Sequence, residues 1–151
     1  MSIIQDFLIN NGLPALFLLS FLASTLLPLG SEWLLVVLIM NGRSPEAVVT
    51  VATVGNYLGA CTTYLIGLGG AQFLITRLLR IREKDMARAR ALYEKYGAWS
   101  LLLSWLPVIG DPLCLLGGIF KVRFFRYSVL VFSGKLARYL AVAALTSLSM
   151  Q

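Results

Sequence analysis

Two long apolar stretches of this sequence are each interrupted near the middle by a proline and an acidic residue. The first covers about residues 13–40 and contains LLPLGSEWLL, and the second covers about 97–120 and contains LPVIGDPL. A helix needs ~20 apolar residues to cross a bilayer, and the pieces beside each break are about half that length. Irregular backbone at membrane depth is stable only where protein or a wet cavity surrounds it. Both stretches therefore predict re-entrant helical hairpins.

The residues that break these stretches are helix-breaking types. Proline removes a backbone donor and clashes with the preceding turn, and glycine is the weakest helix former after proline. The predicted hairpin breaks are Pro28 and Gly30 in the first stretch, and Pro107, Gly110 and Pro112 in the second. Segments 47–69 and 127–148 contain no proline and are long enough to cross, and we expect each of them to span the membrane as one helix.

The composition is that of an integral membrane protein. Hydrophobic residues make up 58% of the 151 residues, charged residues make up 13%, and the mean hydropathy is +0.81. The charged share is about half that of a soluble domain. The sequence has no histidine, and its two cysteines lie in apolar runs without metal-ligand spacing. We therefore expect a single all-α membrane domain over residues 1–151, with no enzymatic activity, no metal and no other cofactor.

The two halves of the chain match each other at an offset of 79 residues. At this offset Pro28 falls on Pro107, Glu32 falls on Asp111, and a glycine follows 23 residues after each acid, at positions 55 and 134. Because the matched positions are helix breakers and the two acids of the apolar runs, we interpret them as a repeat. Repeat 1 covers about 13–70, a connector covers 71–96, and repeat 2 covers about 97–149.

Basic residues set the expected orientation. The segment 77–95 has seven basic residues against three acids, and a second basic cluster follows at 121–126. Loops of this kind stay on the cytoplasmic side, so we expect loop 77–95 in the cytoplasm and no binding of nucleic acid. Four full crossings would put the two clusters on opposite sides, whereas two hairpins put them on the same side. The expected architecture is thus two inverted-topology repeats, each a re-entrant helical hairpin plus a transmembrane helix, joined by a cytoplasmic amphipathic helix.

Charged residues inside the apolar segments are the candidate functional residues. An ionisable group at membrane depth costs about 3 kcal/mol or more, so it usually faces a cavity and has a task. Glu32 and Asp111 are candidate proton-binding residues, because burial favours the neutral form of a carboxyl group. Candidate groups for an anionic head group are Lys135 and Arg138, one turn apart in the last segment, with Asn56 and Tyr57 at the equivalent place in the first half.

Structural roles for the same residues stay open. Glu32 and Asp111 each precede a half-helix, and either carboxylate could accept hydrogen bonds from its free N–H groups. Lys135 and Arg138 could instead form structural ion pairs with the two acids.

The sequence resembles the DedA family, also called the VTT-domain or SNARE-associated superfamily, and within it the short YqaA-like branch. The segments that carry the resemblance extend from about residue 16 to residue 144: FLASTLLPLGSEWLLVVL, ATVGNYLGACTTYLIG, YGAWSLLLSWLPVIGDPLCLLGGIFKVRFFRY and SGKLARYL. The resemblance implies two inverted re-entrant repeats in the bacterial inner membrane. It also implies proton-linked movement of lipid phosphates such as a polyprenyl phosphate, or phospholipid scrambling as in eukaryotic relatives.

One departure from the family pattern affects the expected site. Better-known members have arginines around the proline of the second hairpin, in a pattern like R-F-x-P-x-x-R, and here those positions are Ser104 and Gly110. The resemblance carries the role of the acid over to Glu32. Phosphate binding by hairpin arginines does not carry over, and we expect Lys135 and Arg138 to supply the positive charge instead.

The leading hypothesis is a proton-dependent transporter or flippase for an anionic lipid, with membrane lipids as its partners. A second hypothesis is a non-transporting factor that maintains the envelope, in which the buried charges are structural. A third is a small ion or drug transporter that works as a dimer, since 151 residues is short for a pore. Whether the chain forms a homodimer is left open.

Overall fold

The protein is helical throughout the part of the chain that the structure describes. The computed structural model describes residues 10–24, 31–70, 82–106 and 109–151, with the isolated positions 3 and 6. Its helices are α1 (Gly12–Ala23), α2 (Glu32–Met40), α3 (Pro45–Gly69), α4 (Glu83–Tyr96), a 3₁₀ helix (Gly97–Trp105), α5 (Gly110–Ile119) and α6 (Phe124–Ser149). The all-α fold class predicted from the sequence is therefore confirmed for these residues.

Neither of the two interrupted stretches forms one continuous helix. In the first, α1 ends at Ala23 and α2 begins at Glu32, and in the second the 3₁₀ helix ends at Trp105 and α5 begins at Gly110. The four pieces have 9 to 12 residues each, fewer than the ~20 that a crossing requires. Pro28, Gly30 and Pro107 lie outside the described residues. Gly110 and Pro112 lie in the first turn of α5, where a missing N–H leaves no hydrogen bond unmade.

The first piece of the second stretch is a 3₁₀ helix of nine residues, a length that 3₁₀ helices seldom reach. It follows α4 at Gly97, whose φ of +64° ends that helix. A 3₁₀ helix rises ~2.0 Å per residue and an α-helix rises ~1.5 Å, so this piece and the twelve-residue α1 both reach about 18 Å. The first piece of each stretch thus has the same length despite its different residue number.

The two long helices, α3 and α6, lie antiparallel and join two separate apolar cores. One core contains Val48 and Ala52 from the first half of α3 together with residues of α1 and α2 and of the second half of α6. The other contains Ala60 and Tyr64 from the second half of α3 with residues of the first half of α6, the 3₁₀ helix, α4 and α5. The middle of both long helices therefore lies between the cores.

Helix packing in the first half of the chain has a counterpart in the second. α1 packs on α3 and the 3₁₀ helix packs on α6, so each first piece contacts the long helix of its own half. α2 packs on α6 and α5 packs on α3, so each second piece contacts the long helix of the other half. A β-carbon at Gly55 would lie 2.6 Å from the Phe17 carbonyl oxygen, and one at Gly134 would lie 2.7 Å from the Leu102 carbonyl oxygen. The glycine pair found at the offset of 79 thus allows the same close contact in both halves.

The described part of the first basic segment, α4, lies next to the junction that holds the second basic cluster. α4 packs against α5 and the 3₁₀ helix, and its Tyr93 ring stacks on Phe120 with centroids 4.6 Å apart. Phe120 directly precedes the basic residues 121–126. Within the described residues, Phe124–Ser149 is long and apolar enough to cross a membrane, judged by length and composition. α3 has a similar length of 25 residues, but its buried face includes Thr53, Asn56 and Thr63.

Candidate functional site: a charged cluster between the two cores

Four charged side chains and a set of hydroxyl and amide groups meet between the two cores. Lys135 and Arg138 come from the middle of α6, and Asn56 comes from the middle of α3. Glu32 is the first residue of α2, and Asp111 is the second residue of α5. We call Glu32, Asp111, Lys135 and Arg138 the charged cluster. Each acid thus lies in the first turn of a short helix, where the helix dipole favours negative charge.

Glu32 and Arg138 form an ion pair. A guanidinium nitrogen of Arg138 contacts a carboxylate oxygen of Glu32, and the two side chains are 26% and 24% exposed. The contact ties the start of α2 to the middle of α6, which are 106 positions apart in sequence. Removing either charge would leave the other poorly solvated, so the two side chains depend on each other.

Lys135 is more deeply buried than Arg138 and has no direct anionic partner in the described part of the chain. Only 4% of its surface is exposed. Asp111 is half-buried and interacts electrostatically with Lys135 first and with Arg138 second. No ion pair or hydrogen bond of Lys135 is found within the described residues. An ammonium group buried in this way is a costly arrangement for the folded protein, and it leaves the positive charge available to an added anion.

The Ser24 hydroxyl adds a weakly paired polar group beside Asp111. Ser24 is 2% exposed, and its oxygen has no hydrogen-bond partner among the described residues, although it lies near the Asp111 carboxyl group. The Thr53 hydroxyl on α3 is likewise buried without such a partner. Buried hydroxyl groups are nearly always paired, so these two groups have hydrogen-bonding capacity left for a ligand or water.

A hydrogen-bond network centred on Tyr139 supports the cluster. The Tyr139 hydroxyl lies 2.8 Å from the Ser31 hydroxyl and accepts a 3.1 Å hydrogen bond from the Asn56 amide. Ser20 donates to Ser31 at 3.1 Å, and Asn56 also donates to the Ser20 carbonyl at 3.2 Å. The network joins α1, α2, α3 and α6 one residue after Arg138. Asn56 is a candidate from the sequence, whereas Tyr139, Ser20 and Ser31 are not; the available signal for the two serines is the group of small hydroxyl residues around the first break, at positions 20, 24, 25 and 31.

Tyr57 lies apart from the other candidates. Its hydroxyl donates a 2.6 Å hydrogen bond to Ser128, and its ring packs edge-to-face on Phe132. Ser128 lies about two turns of α6 before Lys135. Because consecutive helical residues point about 100° apart, Asn56 faces the cluster while Tyr57 contacts a different part of α6.

The two positions that carry arginine in better-known family members contact each other here. Ser104 is buried, and a β-carbon at Gly110 would overlap its carbonyl oxygen. The Ser104 hydroxyl lies 3.5 Å from the Val131 carbonyl oxygen and would be 3.0 Å from a β-carbon at Gly134. A side chain as large as arginine has no room at either position without movement of the backbone. The positive charge of this region therefore comes from α6 alone among the described residues.

The chemistry of the cluster suits an anion and protons. In a group of two cations and two carboxylates, an anionic ligand can replace a carboxylate as the partner of a cation. The carboxylates can also bind protons. Among the described residues there is no group of three or more histidine, cysteine, aspartate and glutamate residues that could hold a metal ion.

Comparison with known proteins gives matches over most of the chain. A model of the VTT domain matches residues 27–148. Inner membrane protein YqaA of Escherichia coli is 42% identical over 133 residues, covering 87% of this chain and 89% of that protein. An uncharacterized protein of Haemophilus influenzae is 36% identical over 155 residues, covering 94% and 92%. Undecaprenyl phosphate transporter A of Staphylococcus aureus is 24% identical over 144 residues, covering 87% and 71%. No solved structure matches the chain.

Proposed function

This chain is an inner-membrane protein of the VTT-domain (DedA) family, and we propose that it moves an anionic lipid across the membrane with the help of proton binding. The observation that carries the proposal is Lys135, a buried ammonium group without a direct partner among the described residues. A residue this costly to the fold usually has a functional task. An anionic head group would supply its missing counter-charge.

The substrate class is a lipid phosphate, such as a polyprenyl phosphate or a phospholipid. Arg138 can hold two phosphate oxygens through its planar guanidinium, and Lys135 adds a point charge one turn away. The Staphylococcus aureus relative is named as an undecaprenyl phosphate transporter, which agrees with this class. The Asn56 amide lies beside the same charges and can orient the head group. Tyr57 has no contact with these charges in the described structure, and a role for it would require a lipid that extends towards Ser128.

Protons enter the proposed mechanism through Glu32 and Asp111. Protonation of Glu32 removes the negative charge from its ion pair and frees the Arg138 guanidinium for a phosphate group. Loss of that proton restores the ion pair and releases the head group. Protonation of Asp111 likewise removes a negative charge from the neighbourhood of Lys135, and loss of that proton restores it. The acids and the substrate thus compete for the same two cations.

The proposed topology is that of two inverted repeats. Hairpin 13–40 enters from outside, hairpin 97–120 enters from the cytoplasm, and α3 and α6 cross the membrane. The matched packing of each first and second helical piece supports this arrangement, as does the stacking of Tyr93 at the end of α4 on Phe120 beside the second basic cluster. The connector 71–96, including loop 77–95, then lies on the cytoplasmic surface. Inverted repeats bring broken helices together near the bilayer midplane, where transporters bind their substrates.

Transport by purified protein in liposomes tests the proposal. The assay follows the movement of a polyprenyl phosphate between leaflets at several pH values. Glu32→Gln removes the proton-binding group, so we expect the rate to fall by about tenfold or more and to lose its pH dependence. Asp111→Asn should behave similarly. Glu46→Gln is the matched control, because Glu46 is an exposed acid in the first turn of α3. Wild-type rates in both cluster variants would contradict the proposal.

The Glu32–Arg138 ion pair favours a second candidate function, a non-transporting factor that maintains the envelope. In that function the cluster only holds α2 and α5 against α6. Removing Glu32 or Arg138 singly would then unfold the protein, and removing both would restore it, as for a structural pair. Melting temperatures of the single variants and of the double variant decide between the two functions.

A further inference from the structure

A cavity separate from the charged cluster opens between the end of α4 and the α5–α6 junction. Its volume is about 630 Å³, and its lining residues come from the end of α4, the start of the 3₁₀ helix and the α5–α6 junction: Tyr93, Ala98, Phe120, Val122, Arg123, Phe125 and Arg126. Two of these residues are arginines, and the others are apolar or aromatic. None of these residues belongs to the proposed transport site.

The arginines of this cavity are available for a ligand. Arg123 and Arg126 are exposed, and neither has an ion pair within the described part of the chain. The Arg126 guanidinium lies 5.6 Å from the centre of the Trp99 ring, which holds it beside an aromatic surface. Lys121 adds a third positive charge at the same junction, and residues 120–127 contain no acid. The junction is therefore a local region of positive charge.

The aromatic residues around the cavity indicate a membrane boundary. Trp99 is 59% exposed and Phe125 is 81% exposed, and Phe120 and Phe124 are about half exposed. In an integral membrane protein, exposed aromatic side chains next to arginine and lysine are typical of the level of the lipid head groups. At that level a groove with an aromatic lining and two free guanidinium groups complements a negatively charged head group and the start of its acyl chains.

We propose that this cavity is a binding site for an anionic phospholipid of the adjoining leaflet. Arg123 and Arg126 hold the phosphodiester, and Phe120 and Phe125 contact the upper acyl chain. The site is independent of transport, because it needs no proton-binding group and no residue of the charged cluster. A free phosphate would lack the acyl contacts, so the proposal commits to a lipid.

Fluorescence quenching of Trp99 tests this site. Trp33→Phe and Trp105→Phe leave Trp99 as the single tryptophan, and the full-length protein is placed in phosphatidylcholine vesicles. Brominated phosphatidylglycerol should quench Trp99 more strongly than brominated phosphatidylcholine at equal content. In Arg123→Gln/Arg126→Gln the preference for phosphatidylglycerol should fall by about tenfold, since each basic residue near an anionic surface contributes to binding. Arg123→Lys/Arg126→Lys keeps the charges and should keep most of the preference.

Two control variants distinguish binding in this cavity from general attraction between a basic protein and an anionic membrane. Arg88→Gln/Arg90→Gln removes two exposed charges of α4 that do not line the cavity, and it should leave the preference in place. Lys135→Met should also leave it in place, so a failure of the transport proposal does not affect this result. Equal quenching by both lipids in the parent protein would overturn the site. So would an equal loss in the α4 control, which would show unspecific attraction, or competition by glycerol phosphate as effective as that of the lipid.

Discussion

The Ser31 side chain, next to the charged cluster, makes hydrogen bonds to residues distant in sequence instead of a local capping bond. Ser31 stands at the N-cap of α2, yet its hydroxyl makes no capping bond and instead contacts Tyr139 and Ser20. A cap is worth about 1 kcal/mol, whereas an unpaired buried hydroxyl costs up to about 3 kcal/mol, so the buried network is the better use of this side chain. The network thereby fixes α2, and with it Glu32, relative to α6.

Replacement of Tyr139 tests the weight of that network. Tyr139→Phe removes the hydroxyl that pairs with both Ser31 and Asn56 and leaves these buried groups short of a partner. We expect a loss of about 1–3 kcal/mol in the free energy of unfolding. Tyr57→Phe is the matched control, since its hydroxyl donates to the half-buried Ser128 and its loss should cost about 1 kcal/mol or less. Thermal unfolding in detergent measures both, and equal costs would contradict the central role of Tyr139.

At the scale of helices, the sequence predicts a helix boundary where proline, glycine or an acid causes it. It does not predict a helix type that depends on packing. The breaks before Glu32 and Gly110 could be predicted from proline, glycine and acid positions, and the end of α4 from Gly97. The 3₁₀ geometry of Gly97–Trp105 could not, because its sequence is as apolar as that of an α-helix. This segment packs against α6, α5 and α4, so its geometry involves contacts that are distant in sequence. Residues 25–30, 71–81 and 107–108 lie outside the described structure, so the breaks at Pro28, Gly30 and Pro107 stay predictions.

The contact between the 3₁₀ helix and α6 gives a prediction at this scale. In Gly134→Ala the new β-carbon would meet the Leu102 carbonyl, a backbone atom that cannot move by changing a rotamer. We expect destabilisation by about 1–3 kcal/mol or more. Gly69→Ala, at the exposed end of α3, meets no atom within 4 Å and should be neutral or slightly stabilising. Melting temperatures of the two variants compare them, and a wild-type value for Gly134→Ala would show that the close approach is unimportant.

At the scale of the whole molecule, the positions of the charged residues in the sequence indicate which charged side chains come into contact in the fold. The stacking of Tyr93 on Phe120 brings the end of α4 next to the second basic cluster, while the membrane side of both clusters stays a prediction. The meeting of Glu32 with Arg138 follows from an acid at a helix break and a base in the middle of a long helix. The sequence could not show which of Asn56 and Tyr57 faces the charged cluster. Neighbouring helical residues point in different directions, and only the packing decides which one faces inward. The Tyr139 network could not be predicted either, since an aromatic residue in an apolar helix looks like ordinary core.

The measurement that tests the proposed transport site most directly is transport and stability of Lys135→Met in the same preparation. Methionine has a similar shape and removes a buried charge that has no direct partner among the described residues, so we expect an unchanged or higher melting temperature. The same variant should move a polyprenyl phosphate at least about tenfold more slowly, because the head group loses a charge-assisted contact. Lys95→Met, at the exposed end of α4, should match the parent in both respects. A stable Lys135→Met variant that transports at the parent rate would contradict the claim that this cluster is the transport site.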